Sequence, residues 1–256
     1  MYQGFNLALK NVLWDRQDLA YGELLHAGQR RQVKTTIDAF AGHDGVLDAS
    51  KMQASWFPQI DAQVFISHSH ADATFALGLA GWLKTHFDLV SFIDSCAWGY
   101  ADDLLALVDK QFCRNPGGET YSYSKRNRST SHVHMMLSTA LVTMMDRCEC
   151  LFFLNTPSSI TPADVIEEVG TGITTSPWIY SEIAMSGLIR RKSMSQHRRV
   201  REEARAVADS LTLRYDVSVS HLGSLNSRDL DAWRRGAAVS DAHPLDLLYG
   251  MKRLPE

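Results

Sequence analysis

The pattern of apolar and polar positions changes sharply near residue 60. Before it, Leu7, Leu9, Val12, Leu13 and Leu19 are scattered between Asn6 and Tyr21, and Gly42-His43-Asp44-Gly45 marks a turn. Residues 1–60 therefore read as a helical extension, closed by Trp56-Phe57-Pro58. After it, the short apolar run Ala62-Gln63-Val64-Phe65-Ile66-Ser67 predicts a buried strand. Asp72 is placed to cap a helix whose apolar residues Phe75, Leu79, Trp82, Leu83 and Phe87 recur at helical intervals. A second strand, Leu89 to Asp94, completes a unit of about thirty residues, the length of a parallel βαβ crossover.

Beyond it, residues 95–130 form a polar insertion with one amphipathic helix, Asp102 to Phe112, broken at Asn115-Pro116-Gly117-Gly118. Long insertions of this kind more often serve as functional lids than as plain connections. Ser131 opens the clearest helix, with Val133, Met136, Leu137, Ala140, Leu141, Met144 and Met145 at steps of three and four. Cys150 to Leu154 reads as another buried strand, and Ser176-Pro177 as a helix start, serine at the cap and proline at the first position. The basic run Arg190 to Arg205 predicts a solvated helix, since glutamates are mixed in and aromatics are absent. Leu213 to Val219 alternates as a strand covered on one face does. The resulting division is a 1–60 extension, a 61–220 α/β domain and a 221–256 helical tail.

Composition narrows the class. A chain of 256 residues, 45% apolar and 21% charged, is that of a soluble globular protein. The net charge of −3 gives no field for nucleic acid or an anionic membrane, and no apolar stretch is long enough for a membrane span. The amino terminus lacks a secretion signal, and Cys96, Cys113, Cys148 and Cys150 match no zinc spacing. A reducing cytoplasm and no bound metal are the expectations, the pairs His68/His70 and His132/His134 having no third ligand in view.

The candidate chemistry gathers where strands end. Trp178 and Glu182 are four apart, so the first turns of their helix turn an indole and a carboxylate to one side. They follow a central strand, where open α/β sheets bind ligands. Ser67, His68 and Ser69 end the first strand of the main domain, positions suited equally to phosphate or ribose contacts and to turn capping. Phe92 lines either the core or a ligand, and Asp94 either caps the next loop or touches ligand. Trp98, in a glycine-containing stretch after the second strand, is placed to close over a stacked base. Arg126, Asn127 and Arg128 suit a pyrophosphate or a solvated surface.

Taken in order, Val64-Phe65-Ile66-Ser67-His68, Phe92-Ile93-Asp94, Leu151 to Asn155 and Trp178-(three residues)-Glu182 resemble the signatures of the Toll/interleukin-1 receptor (TIR) domain. Over about 130 residues the chain is similar to the stand-alone prokaryotic TIR enzymes of Thoeris-type anti-phage defence. The resemblance implies a flavodoxin-like, doubly wound parallel sheet with flanking helices. It also implies cleavage of NAD, as substrate rather than cofactor, to a cyclic or modified ADP-ribose messenger for a separate effector. Self-association through TIR–TIR contacts and a phage-derived trigger belong to the same expectation. The 1–60 extension and the longer 95–130 insertion depart from the plain TIR module.

Under that resemblance Glu182 is the catalytic carboxylate, either stabilising an oxocarbenium-like transition state or attacking the anomeric carbon. Nicotinamide leaves as a neutral base from a cationic ring nitrogen, so no acid is needed to protonate it and one carboxylate suffices. Ser67, His68, Ser69, Phe92, Asp94, Trp98 and Trp178 are the substrate-contact candidates, with Trp178 packing on the ligand or holding the Glu182 rotamer. The alternatives are a non-catalytic TIR adaptor and a nucleoside deoxyribosyltransferase-like enzyme, which also uses a glutamate on a doubly wound sheet.

Overall fold

A computed structural model describes residues 1–9, 14–30, 40, 47–57, 59–160, 171–174, 176–189, 191–194, 215–218 and 222–252. Its strands are β1 Gln3–Ala8, β2 Val64–Ser67, β3 Ser91–Ile93, β4 Cys150–Leu154, β5 Thr171–Thr174, β6 Tyr215–Ser218 and β7 Gly223–Asn226. The helices are α1 Arg16–Arg30, α2 Ala49–Trp56, α3 Ala73–Phe87, α4 Ser95–Phe112, α5 Tyr123–Arg147, α6 Pro177–Leu188, α7 Ser227–Ala237 and α8 Pro244–Met251. Five strands form one all-parallel sheet in the order β3-β2-β4-β1-β7, while β5 and β6 pair antiparallel apart from it.

Both faces of the sheet are covered, as a parallel sheet requires. Alternation along β2 and β4 sends Phe65, Leu151 and Phe153 into one core and Val64, Ile66, Phe152 and Leu154 into the other. Val133, Leu137 and Met144 of α5 and Ile179 and Ile183 of α6 close the first core. Leu79 and Leu83 of α3, Trp233 of α7 and Leu248 of α8 close the second. The α/β class and the parallel sheet agree with the sequence expectation, as do the strands at Val64–Ser67 and Cys150–Leu154 and the buried stripe of α5.

The helical extension does not. Gln3–Ala8 is a strand lying between β4 and β7, with Gln3 opposite Cys150 and Phe5 opposite Gly223. Only Phe5 and Leu7 carry its apolar signal, because Gln3, Gly4 and Asn6 fill the intervening places. Gly4 is there for closeness: a Cβ on it would fall 2.6 Å from Leu222. The 1–60 segment is thus part of the sheet, although α1 and α2 within it are helical as expected. The 221–256 tail is likewise more than helical, since it supplies the edge strand β7 before α7 and α8.

Two further boundaries move. α4 begins at Ser95, immediately after the second strand of the βαβ unit, and α5 begins at Tyr123 rather than Ser131. The 95–130 insertion and the start of α5 form a helical hairpin whose far end is joined by polar contacts, which hides that end from a hydrophobic periodicity. Tyr100, Ala101 and Leu104 of α4, by contrast, enter the apolar core with Val133 and Leu137 of α5. Asp109 of α4 accepts from Arg126 Nε at 2.7 Å and from Ser129 Oγ at 2.5 Å, both on α5. The strand expected over Leu213–Val219 is seen at Tyr215–Ser218, outside the parallel sheet. The remainder of that segment, most of the Arg190–Arg205 run and Pro58 lie outside the described residues.

Candidate functional site

Glu182, Ser67, His68 and Asp94 meet at the carboxyl ends of β2 and β3. Ser67 is two residues beyond Phe65, so alternation turns its hydroxyl to the face that α6 covers. Ser176 caps α6, accepting from Ile179 N at 3.3 Å, and Pro177 takes the first position, as the sequence anticipates. With the helix start fixed, Glu182 falls on the buried side together with Ile179, Ile183 and Ser186. Ser67 Oγ donates to Glu182 Oε2 at 2.5 Å.

Asp94 ties the two strand tips together. Its Oδ2 accepts from the His68 backbone N–H at 3.3 Å, and its Oδ1 lies 2.5 Å from His68 Nδ1, close but not aligned as a hydrogen bond. Although Asp94 precedes the first residue of α4, its side chain makes no cap. It faces the histidine and Glu182 instead. His68 and Asp94 are fully buried and Glu182 is 2% exposed.

Burial in this setting sets the protonation. Desolvation and the negative charge of Asp94 raise the Glu182 pKa well above the usual carboxylate value, and the Ser67 hydrogen bond offsets this only in part. For His68, burial works against the charged ring, but Asp94 outweighs it and the pKa ends above the ordinary histidine value. Glu182 Oε1 and His68 Nε2 are buried without a hydrogen-bond partner. These are two open valences at the tip of a parallel sheet, the place where such folds take ligands.

The other candidates divide. Trp178 packs edge-on against His134 of α5, ring centroids 5.5 Å apart, and joins the apolar core. Phe92 is buried, its ring 5.2 Å from that of Phe65, which is the core role. Ser69 opens the 3₁₀ turn His70–Asp72 without a side-chain cap, its carbonyl accepting from Asp72 N. Asp72 accepts from Thr156 Oγ1 at 2.6 Å rather than capping α3, which fastens the loop after β4 to the turn after β2. Trp98 belongs to the first turns of α4, not to a loop, and its side chain lies outside the described residues. Arg126 is held by Asp109 and stacks over Tyr121, so it serves the hairpin.

One residue the sequence reading did not reach stands in the same row. Ser67 pairs with Phe153 and Phe153 with Asn6, and partners in register share a face. Asn6 Oδ1 is buried with no hydrogen-bond partner. Its signal was lost with the strand that carries it. No protein-family model, curated protein or solved structure matches the chain. Function is therefore argued from the site.

Glu149, His243 and Asp246 each bring a ligand atom within 4.8 Å of the others. They gather at the opposite end of β4, away from Glu182. His243 precedes α8 and Asp246 sits in its first turn, where a carboxylate already offsets the helix dipole.

Proposed function

We propose that the protein cleaves the N-glycosidic bond between nicotinamide and ribose in NAD, as a TIR-type NAD glycohydrolase or ADP-ribosyl cyclase. The observation that carries this reading is the Glu182 carboxyl, buried at the strand tips, hydrogen-bonded to Ser67 and opposed by Asp94. A glutamate kept protonated by desolvation ionises when a cation arrives beside it. The nicotinamide riboside of NAD is such a cation. As the C1′–N bond breaks, the electron pair leaves with nicotinamide and positive charge passes to the ribose, where an ionised Glu182 stabilises it. Capture by water gives ADP-ribose and a proton; capture by a nucleophile of the same molecule gives a cyclic product.

Ser67 holds one Glu182 oxygen, while His68 and Asp94 fix the loops around it. An adaptor acting only through surface contacts has no use for an acid desolvated in this way. With Glu182 only 2% exposed, NAD reaches the carboxylate only after the strand-tip loops part. Slow turnover by the resting protein, and activation by self-association or a phage-derived trigger, follow from that closure. A diffusible product acting on a separate effector in anti-phage defence completes the proposal. A cytoplasmic setting is supported by Cys113, Cys148 and Cys150, all buried free thiols. Among the described residues no helix is long and apolar enough to cross a membrane.

Asp94 favours a second reading, a nucleoside deoxyribosyltransferase-like enzyme, because its charge beside Glu182 raises the Glu182 pKa, and a carboxyl that keeps its proton can give it to a departing purine. One experiment separates the two. The protein is incubated with NAD, with and without phage-infected lysate, and in parallel with deoxynucleosides and a free base, and all products are identified by mass spectrometry. Release of nicotinamide that Glu182→Gln lowers by about 10²–10³ or more supports NAD cleavage. Base exchange with intact NAD supports the second reading.

A further inference from the structure

A cavity apart from the strand tips lies where α1, α3 and α7 meet, with a volume of about 260 Å³. Its walls include Trp14, Trp82, Asp15, Asp18, Asp231 and Arg234. The indoles of Trp14 and Trp82 lie 6.2 Å apart at 46°. Trp14 is seated on Gly78, where a Cβ would come within 2.0 Å of its ring, so the backbone of α3 sets the indole's place.

Two polar atoms here lack partners, although Thr85 also hydrogen-bonds the Asp18 carboxylate. Asp18 is only 3% exposed, and its Oδ1 is buried with no hydrogen bond. Trp14 Nε1 is buried and equally unanswered. Leaving such groups open is costly unless something enters to satisfy them. The Asp18 backbone N–H is tied to Asp15 Oδ1 at 2.7 Å, which fixes the first turn of α1 and holds the Asp18 side chain in place. The charge has a sign too: three aspartates face Arg234 and His86. Arg234 is committed in part to Asp231, at 3.7 Å.

We infer that this cavity binds a small organic cation carrying N–H donors, a primary ammonium or a guanidinium on a short carbon chain. Asp18 Oδ1 accepts from the cation, the indole faces of Trp14 and Trp82 flank it through cation–π attraction, and Trp14 Nε1 donates to an acceptor or water on the ligand. A quaternary ammonium has no N–H to give Asp18, and a neutral alcohol has no charge to give the indoles. The volume suits one such molecule, or the side chain of a lysine or arginine presented by a peptide.

Calorimetric titration of the full chain tests this with n-butylammonium and n-butylguanidinium, against tetramethylammonium and 1-butanol as controls. N-acetyl-lysine methylamide reports on a peptide source. Saturable binding of an N–H cation is expected, weaker by at least tenfold, about 1.4 kcal/mol, for the quaternary ion, the alcohol and the Asp18→Asn protein. Tighter binding of the lysine amide than of n-butylammonium would support the site and name a peptide as its source. Should Asp18→Asn fail to fold, Asp231→Asn at the exposed rim reads the same charge and is expected to weaken binding several-fold. Absence of saturable binding by the wild type, or equal binding of 1-butanol, overturns the proposal and leaves the cavity to water.

Discussion

Glu182 carries a proton in the folded protein that the unfolded chain surrenders near pH ~4.3. Unfolding above that pH therefore releases a proton, and stability falls as pH rises toward the elevated folded value. His68 acts in the same sense. Its imidazolium pairs with Asp94, so its contribution is complete below about pH 6.5 and is lost as pH rises through its folded value. Denaturant titrations are expected to show a more stable protein at pH 5 than at pH 8. Glu182→Gln keeps the Ser67 hydrogen bond without the charge, so it should flatten this dependence and stabilise the fold at pH 8 by about 1–3 kcal/mol. A variant less stable than wild type at pH 8 would contradict the buried acid. The members of this cluster were legible as residues. Ser67, His68, Asp94 and Glu182 all sit at predicted element ends. The upward shift of Glu182 was not, because it depends on burial and on the charge of Asp94 brought near through the fold, which sequence spacing does not encode.

Among the elements, the α1–α3 pair depends most on residues too small to draw notice. A Cβ on Gly81 would fall 1.8 Å from the Asp18 carbonyl oxygen, and one on Gly22 would fall 1.9 Å from that of Leu77. The two backbones touch directly, and α1 covers α3 only because both glycines are there. Gly81→Ala should force the helices apart and destabilise the protein by about 1–3 kcal/mol or more, read from its thermal midpoint. An unchanged midpoint would mean the crossing relaxes freely. The α4–α5 hairpin responds to acid instead. Burial works against the Asp109 charge, but the Ser129 and Arg126 bonds overcome it and hold its carboxyl below the usual range. Its clamp is therefore intact above about pH 3.9 and lost as pH falls through the lower folded value. Helices whose buried faces are apolar, such as α3 and the carboxyl half of α5, were evident from periodicity. The first turns of α5 were not, because Arg126 and Ser129 meet a carboxylate there instead of a hydrophobic core.

For the whole molecule the decisive fact is the place of β1. A reading of hydrophobic pattern sets residues 1–60 apart as a helical extension of the main domain. The structure puts Gln3–Ala8 between β4 and β7, where Phe5 and Leu7 are fully or almost fully buried. Deleting residues 1–8 would leave two rows of backbone groups unpaired inside the sheet and detach β7, whose only strand neighbour among the described residues is β1. The truncated protein is expected to lose cooperative unfolding and native circular dichroism. A truncation that still melts sharply would mean that the sheet does not need β1.

That same strand sets a schedule for the ribosome. Gln3–Ala8 leaves the exit tunnel long before the segments it hydrogen-bonds with, Cys150–Leu154 and Gly223–Asn226, have been synthesised. At about 5–20 residues per second, the first of these follows by roughly seven to thirty seconds and the second by roughly ten to forty, and until then it is an unpaired strand. Nascent chains should therefore engage holding chaperones through this strand, and slower translation should lengthen that dependence rather than relieve it.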